Sequence, residues 1–81
     1  MEIEFSQSAR KHRIGRKRAL FVISRNEPVD IVSEGARPDR LLWLGVDDRG
    51  LELEVIGVRT AIGVLIIHVM PRIFRRGKGM L

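Results

Sequence analysis

The chain has no cysteine and no tyrosine, only one tryptophan and three phenylalanines. Without cysteine it can form no disulfide and offers no thiolate to zinc or an iron–sulfur cluster, which fits a reducing compartment. So few aromatic rings argue against a stacking platform for single-stranded nucleic acid. Trp43 therefore reads first as core, with base stacking as the rarer alternative. The longest apolar run, Ala61 to Met70, is ten residues and includes His68. About twenty would be needed to span a bilayer. The start, Met1-Glu2-Ile3-Glu4-Phe5, is acidic and alternating, unlike the cationic then apolar start of a secretory signal. A cytoplasmic protein without a membrane partner is expected.

Several chemistries are missing as well. No glycine-rich phosphate loop follows a strand, and neither Gly-x-Ser-x-Gly nor His-Glu-x-x-His occurs. Asp47 and Asp48 are adjacent, but they fall in a turn whose geometry accounts for them. Glu52 and Glu54 share a strand face and read as solvent-exposed or as partners of a basic segment. Neither a metal nor another cofactor is expected.

What the sequence does have is segregated charge. Arg10, Lys11, Arg13, Arg16, Lys17 and Arg18 fall within nine residues that contain no acid, with His12 among them. By segment the net charge is −2 over 1–9, +7 over 10–25, −5 over 26–58 and +5 over 59–81. The last segment carries Arg72, Arg75, Arg76 and Lys78. Two basic ends that meet on folding would grip a polyanion, while an acidic middle limits non-specific binding. Arginine forks match phosphate oxygens, and each neutralised phosphate releases counterions. The plainer reading of the same cluster is a solvated basic hairpin.

With 81 residues the chain makes one domain with a modest core; it buries about two-thirds of the surface its unfolded form exposes. Ile3 and Phe5 alternate with glutamates as a short strand. Ser6 or Ser8 is placed to cap a helix running to about His12. Gly15 caps a second helix from about Arg16 to Arg25, with Ile14 packing back on Ala19 and Ala19, Leu20 and Ile23 on one face. Pro28 bars its continuation. Strands follow at Val29–Ser33, Arg40–Val46, Leu51–Val55 and Val64–Met70, with Asp47-Asp48-Arg49-Gly50 a hairpin turn and Gly50 at positive φ. The last strand is apolar on both faces and should be interior to its sheet. The expected fold is α+β, in the order β-α-α-β-β-β-β, with two helices packed on an antiparallel sheet. Residues 72–81 read as a basic tail, frayed in the free protein.

The two histidines are the side chains that titrate near neutrality without help. Metal-independent RNA cleavage needs a base for the 2′-hydroxyl, an acid for the leaving oxygen and cations on the charge developing at phosphorus. His12 sits among cations that favour its neutral form, which suits a base. His68 lies two residues before Met70 on one strand face, with Arg72, Arg75 and Arg76 just beyond. The plainer alternatives are a structural contact at a helix end for His12, and a core or supporting imidazole for His68.

Four stretches carry a resemblance: Ala9-Arg10-Lys11-His12-Arg13-Ile14 with its basic helix, Pro38-Asp39-Arg40-Leu41-Leu42-Trp43-Leu44-Gly45, Asp48-Arg49-Gly50-Leu51-Glu52-Leu53-Glu54, and Ile67-His68-Val69-Met70-Pro71. Together they resemble small bacterial toxins of the RelE/BrnT-like group, over nearly the whole chain. The resemblance implies a compact α+β endoribonuclease of a type II toxin–antitoxin pair, neutralised by a cognate antitoxin. Lys11-His12 matches the Lys-His step of such toxins, with Arg13 where glycine is common. His68 and Met70 match the last-strand pattern, and Arg72 falls in the basic segment beyond it. Catalytic sets in the group often include tyrosine or lysine; this chain has no tyrosine and three lysines.

The functional expectation is a toxin-like endoribonuclease acting on RNA, including ribosome-associated mRNA. His12 and His68 would be its acid and base, with Arg72 and Arg75 on the phosphorane. Arg10, Lys11, Arg13, Arg16, Lys17, Arg18 and Arg76 would bind RNA. The alternative is a non-catalytic module that binds nucleic acid or an antitoxin. A third reading is a structural protein whose sheet edge supports an oligomer such as a homodimer.

Overall fold

A computed structural model describes residues 2–31 and 39–73. One helix packs on one face of a five-stranded sheet. Strands β1 (Glu2–Phe5), β2 (Val29–Asp30), β3 (Arg40–Val46), β4 (Glu52–Arg59) and β5 (Gly63–Pro71) lie in the order β1-β5-β4-β3-β2. Helix α1 (Arg16–Arg25) falls between β1 and β2 in the chain. None of the described helices is long and apolar enough to cross a membrane.

Two expectations are corrected. Ser6–His12 holds only a four-residue 3-10 turn, Gln7–Arg10, so the α-helix expected there is not formed and α1 is the helix that packs on the sheet. Ser6 does not cap the turn through its side chain; its hydroxyl is hydrogen-bonded to that of Ser8 at 2.8 Å. Ala9 is the only buried residue of the turn, so no apolar stripe rewards a longer helix. The sheet is also mixed rather than antiparallel, because β1 runs parallel to β5, with Ile3 opposite Val64 and Phe5 opposite Ile66. The chain between them passes through α1 and three strands, which allows the parallel pairing a tight turn would forbid. Gly63 makes the pairing close, since a Cβ there would fall inside the backbone of Glu2. Of the strand expected over Val29–Ser33, β2 is the described part, and residues 32–38 lie outside the description. The tail expected over 72–81 lies outside it from residue 74 onward.

The helix face expected at Ala19 and Ile23 is the buried one, completed by Val22, with Leu20 and Ile14 packed at its margin. These residues meet Leu41 and Trp43 of β3, Leu53 and Val55 of β4, and Val64, Ile66 and Val69 of β5. Trp43 is thus a core residue, 3% exposed. Strand β5 lies between β1 and β4, as its two apolar faces require.

The β3–β4 turn fastens α1 to the sheet. Gly50 has φ 84°, and its amide donates to the Asp47 carbonyl at 3.1 Å. The Asp47 side chain is wholly buried. Its Oδ1 accepts from the Arg49 and Leu51 amides at 2.8 and 2.9 Å. Its Oδ2 takes both Nε and Nη2 of Arg18 at 2.7 Å. Burial alone would raise the Asp47 pKa; the Leu51 amide, the Arg18 guanidinium and the Arg49 amide outweigh it and hold the carboxyl below its ordinary value.

A folded-state pKa below the unfolded one gives stability that is complete above the unfolded value, near pH 4, and is lost as pH falls through the folded one. Thermal melts should show this loss on acidification. Asp47→Asn should cost about 3 kcal/mol at neutral pH and flatten the acid dependence. An unchanged acid slope in the variant would show that other carboxylates carry it.

Candidate active site

One extra residue in β5 sets the site. Down the β4–β5 ladder the register runs Val55 to Val69 and Ile56 to His68, then steps to Gly57 with Ile66. Ile67 is the additional residue, a β-bulge. Val64 and Ile66 on one side of it, and Val69 and Pro71 on the other, are all buried towards α1. Strict alternation from Ile66 would have driven His68 into that core. The bulge reverses the alternation, and His68 emerges on the opposite face beside Ile56, Met70 and Glu54.

Glu54 is only 8% exposed, and its Oε2 lies 3.5 Å from the His68 Nε2. One step along the same face, Glu52 faces Arg72 at 3.6 Å. These strand-face glutamates do meet a basic segment, that of β5 and the residues just after it. The His68 side chain is 29% exposed, while its Nε2 is buried and makes no hydrogen bond.

The bulge also brings in the second histidine. The Ser8 hydroxyl donates to the Ile67 carbonyl at 2.8 Å, and the Ser6 amide to the Ile66 carbonyl at 2.9 Å. These bonds hold the 3-10 turn beside the second half of β5, and the chain leaving it carries His12. The His12 and His68 rings stand edge to face, 6.2 Å between centroids. The two titratable residues singled out by the sequence are therefore neighbours, and His12 is half-buried there.

Of the cations assigned to RNA, Arg10, Lys11, Arg13, Arg16 and Lys17 are exposed. The Arg16 guanidinium sits over the Phe5 ring, 5.1 Å from its centroid. Arg18 is turned inward on Asp47, its side chain 19% exposed, and serves the fold. Arg72 is tied to Glu52. Arg75 and Arg76 lie outside the described residues.

No family model, curated protein or solved structure matches this chain.

Sequence reasoning missed the part played by Ser8 and Glu54. Ser8 left no signal, because the apolar run from Val64 to Ile67 hides the reversal that exposes the Ile67 carbonyl. Glu54 left a faint one. Glu52 and Glu54 alternate on β4 with the spacing that β5 neighbours at His68 and Arg72 require.

Arg13 has φ 57° and is the one non-glycine residue at positive φ among those described. The left-handed conformation costs an L-residue with a Cβ about 1 kcal/mol or more. Arg13→Gly should therefore raise the melting temperature by several degrees, at about 4–8 °C per kcal/mol for a domain of this size. A lower melting temperature would mean that the arginine side chain holds the turn.

Proposed function

We propose that this chain is a toxin-like endoribonuclease that cleaves RNA without a metal, His12 and His68 serving as base and acid. The observation that carries the reading is the 6.2 Å approach of two histidines from opposite ends of the chain. The exposed cations Arg10, Lys11 and Arg13 surround one of them in sequence. The resemblance to RelE/BrnT-like toxins points the same way and supplies the expected partner, a cognate antitoxin.

In the proposed reaction His12 takes the proton of a 2′-hydroxyl. The freed oxygen attacks the adjacent phosphorus and forms a 2′,3′-cyclic phosphate. The 5′-oxygen leaves with a proton from His68, so atoms and charge balance across the step. Arg10, Lys11 and Arg13 hold the flanking phosphates. Arg72, four residues past His68, is the described cation closest in sequence to the acid, and with Arg75 is assigned to the charge growing on phosphorus.

A second reading has its own observation. Val29, Leu44 and Val46 are 62, 41 and 48% exposed on the sheet face away from α1, on the β2–β3 side. Exposed apolar side chains on an open sheet face favour a protein partner. On this reading the chain is a binding module that engages an antitoxin without cutting RNA.

Purified protein incubated with mixed RNA in EDTA decides between them. Cleavage should end in a cyclic phosphate. His12→Ala and His68→Ala should each slow it by about 10²–10⁴-fold, with both variants folded by circular dichroism. Salt-sensitive RNA binding without cleavage would favour the binding module. Full activity in the double variant would remove both histidines from the chemistry.

A further inference from the structure

We infer that Glu54 is a positioning residue for His68, fixing its tautomer so that Nδ1 is the nitrogen that meets the substrate; this rests on the reading of His68 as a reacting group. Glu54 lies on β4, two residues before Ile56, the residue opposite His68, and on the same face, away from α1. It is 8% exposed, and such a carboxylate keeps its charge only beside a donor or cation. His68 Nε2, 3.5 Å from Oε2, is buried and has no hydrogen bond. A proton on Nε2 sets a positive edge towards the carboxylate. A bare nitrogen there would set a lone pair against a carboxylate.

With Nε2–H held towards Glu54, the remaining ring nitrogen, Nδ1, is the one left to exchange a proton. The protonated ring gives up its Nδ1 proton to the leaving oxygen and becomes the neutral Nε2–H tautomer. Also on this side are His12, whose ring meets His68 edge to face, and the Glu52–Arg72 pair further along the strands. The carboxylate stands beside the strand histidine, while Arg10, Lys11 and Arg13 flank His12 in sequence with positive charge. The two histidines thus acquire different tasks from different neighbours.

Nitrogen-15 NMR of the imidazoles in the full chain tests this without any RNA. In the native protein, neutral His68 should be the Nε2–H tautomer. Glu54→Gln keeps the shape and removes the charge. It should release the tautomer, so that neutral His68 becomes a mixture of the Nε2–H and Nδ1–H forms. The same change should appear in a His12→Ala background, which assigns it to the Glu54 contact. Glu54→Asp should retain part of the preference for Nε2–H.

An Nδ1–H tautomer in the native protein, or the same tautomer preference with and without the Glu54 charge, would overturn the proposal. The tautomer is read in the native chain, so it decides the matter even where Glu54→Gln prevents folding. A Glu54-dependent His68 in a protein that cuts no RNA would uphold the pair and remove only the nuclease reading. Cleavage with a Glu54-independent His68 would do the reverse.

Discussion

The extra residue at Ile67 decides what each face of the sheet carries. An unbroken β5 would alternate Val64, Ile66 and His68 towards α1, and an imidazole would enter a core built from Val22, Trp43, Leu53 and Val55. Burying a polar ring there without a partner costs a few kcal/mol, a large part of the stability of a domain this small. The bulge gives the core Val69 and Pro71 instead and sends His68 to the other side. The same irregularity presents the Ile67 carbonyl to the Ser8 hydroxyl, which draws the 3-10 turn and His12 alongside. A single backbone device thus serves the packing and assembles the pair.

Charge segregation along the chain turns out to be a folding pattern as well as a surface property. Contacts that tie the acidic middle to the basic ends include Asp47 with Arg18, Asp30 with Arg59, Glu52 with Arg72 and Glu54 with the His68 imidazole. They differ in weight. The Asp30–Arg59 pair has both side chains half exposed, and such pairs contribute at most about 1 kcal/mol. Asp47–Arg18 is buried at the carboxylate and closes the turn that carries it. Arg10, Lys11, Arg13, Arg16 and Lys17 stay exposed, in the segment that also carries His12.

Strand content was legible because period-two alternation and turn chemistry are local. Gly50 took its positive φ, Trp43 joined the core, and β5 became an interior strand. The segment before His12 was misread because a serine ahead of a few polar residues looks like a helix start. Only Ala9 there reaches the core, and the tertiary bonds of Ser6 and Ser8 to β5 prevail over local propensity. The parallel placement of β1 was beyond local pattern, since it depends on which sheet edge the first strand joins. His12 and His68 could be named from titration chemistry alone. Their meeting required the bulge and the Ser8 bond, neither of which an apolar run reveals.

The most direct measurement is the nuclear Overhauser effect between the ring protons of His12 and His68 in the folded chain, with the β4–β5 pairing read from the same spectra. A cross-peak between the rings, together with Ile56 opposite His68 and Gly57 opposite Ile66, is the predicted result. Unbroken pairing through Ile67, or rings that show no contact, would contradict the account.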